Sequence, residues 1–86
     1  MKTYTVELHY IGVTSEIPQP RYHLVNNDNR THEYVSSTIE SVFDFCLYSE
    51  PRITNDQIYL LVGNKDKEKW NSLVDIYKDY FKRVYS

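Results

Sequence analysis

The sequence predicts an α+β fold: a two-layer sandwich in the order β-β-β-α-β-α, with a mostly antiparallel four-stranded sheet and two helices on one face. Three observations carry this expectation. Residues 3–35 hold alternating apolar patterns broken by turn chemistry, residues 39–47 switch to a helical period, and an apolar run at 58–62 precedes a second helical stripe. At 86 residues the chain, 1–86, reads as one domain without repeats or linkers.

The first strand is Thr3 to Ile11, where Tyr4, Val6, Leu8 and Tyr10 alternate with Thr3, Thr5, Glu7 and His9. Gly12 to Pro20 breaks that pattern, and Ile17-Pro18-Gln19-Pro20 reads as an extended loop because neither proline donates a backbone hydrogen bond. Asn26-Asn27-Asp28-Asn29 separates Arg21–Val25 from Arg30–Val35, and such residues tolerate the positive φ of tight turns, so the pair predicts a hairpin. If that turn is centred on Asn27 and Asp28, opposed residue numbers sum to 55 and His23 faces His32.

Ser37-Thr38-Ile39-Glu40 has the spacing of a capping box, and Ile39, Val42, Phe43, Cys46 and Leu47 make one apolar stripe before Ser49-Glu50-Pro51 ends the helix. The run Ile58-Tyr59-Leu60-Leu61-Val62 suits a central strand covered on both faces. After Gly63, with Asn64 or Asp66 as cap, Trp70, Leu73, Val74, Tyr77, Phe81 and Val84 define the second helix, Lys82 and Arg83 suiting its last turn. Trp70, Tyr77 and Phe81 are then expected to pack on Val6, Leu8 and the 58–62 strand. The third strand, first helix and fourth strand form a crossover that introduces one parallel pair.

Composition narrows the function. The formal net charge of −2 gives no global basic field, so direct nucleic-acid binding is not expected. Charge is uneven: Asn26 to Asp56 carries two basic and six acidic residues, whereas Gln57 to Ser86 carries six basic and four acidic. The lone Cys46 allows no internal disulfide and no multi-cysteine zinc site. No apolar run approaches the roughly 18 residues of a membrane span, and the amino terminus lacks a signal-peptide pattern, so no membrane partner and a cytoplasmic location are expected. The absence of alanine and the nine tyrosines suit AT-rich coding DNA, as in phages and mobile elements.

Assembled chemistry is sparse. Gly12 and Gly63 lie too far apart for a phosphate loop, and Cys46 sits on the apolar stripe, where a buried hydrophobe is expected rather than a nucleophile. His23 and His32 suggest at most a solvated or hydrogen-bonded pair, and no sequence feature places His9 near them. Neither a cofactor nor a metal is therefore expected.

The first helix carries the strongest functional signal. On a helical wheel Phe45 falls roughly 130° and Tyr48 roughly 170° from the centre of the core stripe near Phe43 and Cys46, which directs both outward beside Glu40 and Asp44, with Glu50 following. Aromatic anchors ringed by carboxylates suit a protein interface. The reading is a non-enzymatic interaction module, such as a phage anti-defence inhibitor of a larger nucleic-acid-handling protein with a basic surface. Glu40, Asp44, Phe45, Tyr48 and Glu50 would contact that partner or a second copy in a homodimer. The alternatives are a nucleotide-binding, sponge-like oligomer that uses its tyrosines, and a histidine-dependent hydrolase or nuclease.

Overall fold

The computed structural model describes residues 2–12 and 18–85, with side chains as far as residue 79. The expected packing of Phe81 and Val84, and part of the 12–20 loop, lie outside the described side chains and residues. The elements are β1 (Tyr4–Ile11), β2 (Gln19–Asn26), β3 (His32–Ser36), α1 (Ile39–Tyr48), a 3-10 turn (Asn55–Gln57), β4 (Ile58–Leu61) and α2 (Asn64–Tyr85). This is the α+β order the sequence predicts. The sheet is mixed, in the order β3-β2-β1-β4: β1 and β3 run antiparallel to β2, and β4 runs parallel to β1. The chain from β3 through α1 therefore crosses from one edge of the sheet to the other.

That order corrects one expectation. The 58–62 run is not a central strand but the edge strand β4, and only one of its faces is covered. Leu60 packs toward the core, whereas Tyr59 and Leu61 are 61% and 65% exposed.

The hairpin register also differs from the expected one. Asn26 and Thr31 close the turn, the Asn26 amide donating to the Thr31 carbonyl at 2.8 Å, and Arg30 takes the left-handed conformation at φ 60°. The Asn26 side chain holds this wider loop by accepting the Asp28 amide at 2.9 Å. An irregularity between Leu24 and Val25 then shifts the ladder again, so His23 opposes Val35 and His32 opposes Val25. His32 shares the face of His23 because it opposes Val25, and the bulge, which turns the following side chains over, brings Val35 onto that face as well. The bulge also turns Tyr34, which opposes Leu24, toward the helices.

Two further boundaries move. β2 begins at Gln19 and includes Pro20, opposite Tyr10. Pro20 is tolerated because β3 ends opposite Tyr22, leaving β2 with a neighbour on one side only at that point. The cap of α1 is Thr38, whose hydroxyl accepts the Ser41 amide at 3.3 Å, and not the Ser37–Glu40 box. The Glu40 carboxylate instead pairs with Lys69 of α2. Likewise α2 starts at Asn64, the Lys67 amide donating to the Gly63 carbonyl, so Asn64 and Asp66 lie inside the first turn.

The core sits between the helices and one face of the sheet. Tyr4, Val6, Tyr22 and Leu24 meet the α1 stripe Ile39, Val42, Phe43, Cys46 and Leu47, with Ile53 and Trp70 completing the cluster. Phe43 and Trp70 meet edge to face at 5.1 Å, and the indole N–H of Trp70 donates to Asn55 Oδ1 at 2.8 Å. Leu8, Ile58, Leu60, Leu73, Val74 and Tyr77 rim this cluster. Among the described residues, the other face of the sheet carries no helix.

Candidate functional site

The carboxyl end of α1 is built by local chemistry. Leu47 and Cys46 turn inward, and their free carbonyls accept hydrogen bonds from Arg52 Nε at 2.9 Å and Ser49 Oγ at 3.2 Å, which folds residues 49–53 back beside the helix. Between this segment, β3 and the start of β1 lies a cleft of about 290 Å³. It is lined by Lys2, Tyr4, Glu33, Phe45, Ser49, Glu50, Pro51 and Ile53. Burial, reinforced by the nearby Glu33 carboxylate, pushes the Tyr4 phenol above its ordinary value, so this wall is uncharged.

The structure separates the five interface residues expected from sequence. Tyr48 is 65% exposed, and Asp44 and Glu50 are exposed. Glu50 lines the cleft. Glu40 lies at the other end of the helix, and the hydrogen bond from Lys69 holds its carboxyl below the ordinary range. Phe45 is half-buried and stacks on Tyr34, with ring centroids 4.6 Å apart and an interplanar angle of 15°. It does not face outward as the wheel suggests, because the hairpin bulge turns Tyr34 over to meet it. In exchange the structure adds Glu33, which follows His32 at the bulge and joins Glu50 at the cleft.

A second constellation lies on the open face of the sheet. His23 Nδ1 and His32 Nδ1 are 2.9 Å apart, so one ring donates to the other. The His9 and His23 rings meet at 4.4 Å between centroids. All three histidines of the chain thus form a continuous row across β1, β2 and β3. His9 Nε2 reaches Glu7 Oε1 at 2.9 Å, and Arg30 Nη2 donates to Glu7 Oε2 at 3.0 Å. These bonds, first from His9 and then from Arg30, hold the Glu7 carboxyl below the ordinary carboxylate range. Burial, then the neighbouring His9 and His32, lowers the His23 imidazole below its ordinary value.

Sequence reasoning brought His23 and His32 together through a register that does not occur, and it missed His9. The available signal was parity: Glu7 and His9 share a face of β1, and His9 lies diagonally across from His23 once Glu7 and His23 are paired. Among the described residues, no group of three or more His, Cys, Asp or Glu side chains is arranged to hold a metal ion. Cys46 is buried, and burial pushes its thiol up to about 12, which keeps it a packing group. No helix among the described residues is long and apolar enough to cross a membrane. The chain matches no family model, no curated protein and no solved structure.

Proposed function

We propose that the protein is a non-enzymatic interaction module that takes a basic side chain of a larger protein into the cleft at the carboxyl end of α1. The observation that supports this reading is the cleft itself. Tyr4, Phe45, Pro51 and Ile53 give it apolar walls, and Glu33 and Glu50 place two carboxylates against the single cation Lys2. A lysine or arginine side chain has the matching chemistry, an apolar stem and a cationic head. Exposed Tyr48 and Asp44 extend the surface beside it, the aromatic ring supplying contact area and the carboxylate steering association. A nucleic-acid-handling protein presents such basic side chains where it holds phosphates, so occupancy of this cleft would inhibit it.

The test is an NMR titration of the intact protein with a synthetic peptide rich in arginine and lysine, beside an acidic control peptide. Shifts centred on Glu33, Phe45 and Glu50 that weaken with salt support the reading. No shift there at millimolar basic peptide overturns it, as does equal binding by a folded Glu33→Lys/Glu50→Lys variant.

A further inference from the structure

We infer that His23 and His32 form a two-histidine site for a divalent metal ion of square-planar preference, Cu(II) or Ni(II), which bridges β2 and β3 through the two Nδ1 atoms. This goes beyond the proposed function and uses a different surface.

The two rings stand on paired strands, and the register that follows the Leu24–Val25 bulge sets them diagonally across the ladder, His23 opposite Val35 and His32 opposite Val25. Diagonal neighbours lie within reach of ring-sized side chains. Their Nδ1 atoms are 2.9 Å apart. Two nitrogens each about 2.0–2.1 Å from one ion and about 90° apart are separated by about 2.9 Å, whereas tetrahedral ligands at that bond length stand about 3.3 Å apart. The separation therefore matches adjacent corners of a square plane. Cu(II) and Ni(II) favour that geometry and accept imidazole, and Cu(II) heads the order of divalent affinities. The hydrogen bond that joins the rings sets this spacing in advance. Loading requires the donor ring to carry its proton on Nε2 instead of Nδ1 and both rings to tilt, so that two lone pairs converge on one ion. The ring planes cross at 86°, which lets both rings approach that ion without collision.

Access and surroundings agree. His32 is exposed and His23 half-buried, so an ion reaches the pair from solvent. The neighbouring donors are otherwise engaged: Glu7, opposite His23 on β1, is held by His9 and Arg30, and His9 commits Nε2 to Glu7 on the side of His23 away from His32. The chain thus supplies two ligands rather than three. A third is not required, because water completes a square plane, as it does wherever a site keeps open positions.

The test is a titration of the intact protein with Cu(II) alone at about pH 7.5, where an ordinary imidazole is neutral, read by electron paramagnetic resonance and by NMR line broadening. The expected result is one ion per chain with hyperfine splitting from two nitrogens, and broadening centred on His23 and His32. Broadening is read on the wild-type chain, so this result does not depend on any variant folding. His23→Gln and His32→Gln are each expected to weaken binding at least about tenfold, no less than the loss of an outer-shell contact costs. His9→Gln should leave it unchanged, as should Glu50→Lys, which alters the α1 cleft and so separates this site from it. An absence of nitrogen-ligated Cu(II) at equimolar micromolar concentrations overturns the inference. So does broadening centred on Glu50 or on the amino terminus, or binding that both histidine variants retain. Tighter binding of Zn(II) than of Cu(II) overturns the square-planar assignment.

Discussion

The two faces of one sheet are made from alternate residues of the same strands, yet they meet opposite fates. On the helix side Val6 and Leu24 have no exposed surface, and Tyr4 and Tyr22 are buried with them. On the other side Tyr59 and Leu61 keep more than half of their surface in water. Strand alternation decides which residues share a face. Which face is covered depends on where the crossover lays its helices, and here both go to one side. The covered face holds the fold together. The open one buries Val25 and Thr5 at its centre but leaves Val35, Tyr59 and Leu61 exposed toward its edges.

The sharpest way to break this contrast is to empty matched sites on the two sides. Trp70→Ala is expected to cost about 3–5 kcal/mol, because it removes a buried aromatic from Phe43 and leaves Asn55 Oδ1 without its donor. In a domain of this size that approaches the whole stability. Leu24→Ala should cost about 2–5 kcal/mol, whereas Leu61→Ala should fall within about 0.5 kcal/mol when measured on the monomer. Urea denaturation of the three variants at a low protein concentration checks the order. A Leu61→Ala loss as large as that of Leu24→Ala would mean that β4 is held from both sides within one chain.

Legibility in the sequence follows the same division. The period of residues 39–47 and the spacing from Trp70 to Tyr77 name the buried residues of both helices, because a helical stripe depends only on neighbours three and four apart. Strand order, in contrast, is a long-range property. The apolar run at 58–62 reads equally as a central strand or as an edge awaiting a partner, and only the pairing of β4 with β1 separates the two. The hairpin turned on one backbone conformation, the positive φ of Arg30, at a residue whose chemistry does not announce it. The bulge at Leu24 and Val25 is equally unannounced, and it turns Tyr34 toward the helices, where it meets the Phe45 that the wheel directs outward, and brings Glu33 to the cleft.

The pH dependence of monomer stability sharpens the comparison further, because the two faces titrate at opposite ends of the scale. On the open face the His23 value is depressed from the ordinary 6.5. Its contribution is therefore full above 6.5 and is lost as pH falls through the folded value. Glu7, depressed from 4.5, adds a second loss at lower pH by the same sign. On the covered face Tyr22 is pushed up to about 12, by burial first and then by its hydrogen bond to Asp66. Its contribution is full below the ordinary 10 and is lost as pH rises toward 12. Melting temperatures across the range should therefore fall at both ends. His23→Gln should flatten the step that begins near 6.5, and Tyr22→Phe the alkaline one, each leaving the other unchanged. An acid loss that is unaffected by His23→Gln would place the sensitive group elsewhere.

The smallest effect concerns how the covered face is closed. Glu40 of α1 and Lys69 of α2 are the one ion pair between the helices among the described residues, and their side chains are 37% and 57% exposed. At that exposure water screens most of the attraction, and ordering two long side chains offsets part of what remains. A double-mutant cycle with Glu40→Gln and Lys69→Met should therefore give a coupling of about 0.5 kcal/mol or less, and it should shrink further in high salt. The depressed Glu40 value has the matching sign: the coupling is present above the ordinary 4.5 and is lost as pH falls through the folded value. Apolar contact through Phe43, Trp70 and Tyr77 then does nearly all the work of joining α1 to α2. A coupling well above 1 kcal/mol would show instead that charge registers the two helices, and Glu40 would be a structural residue that no interface could recruit without loosening the core.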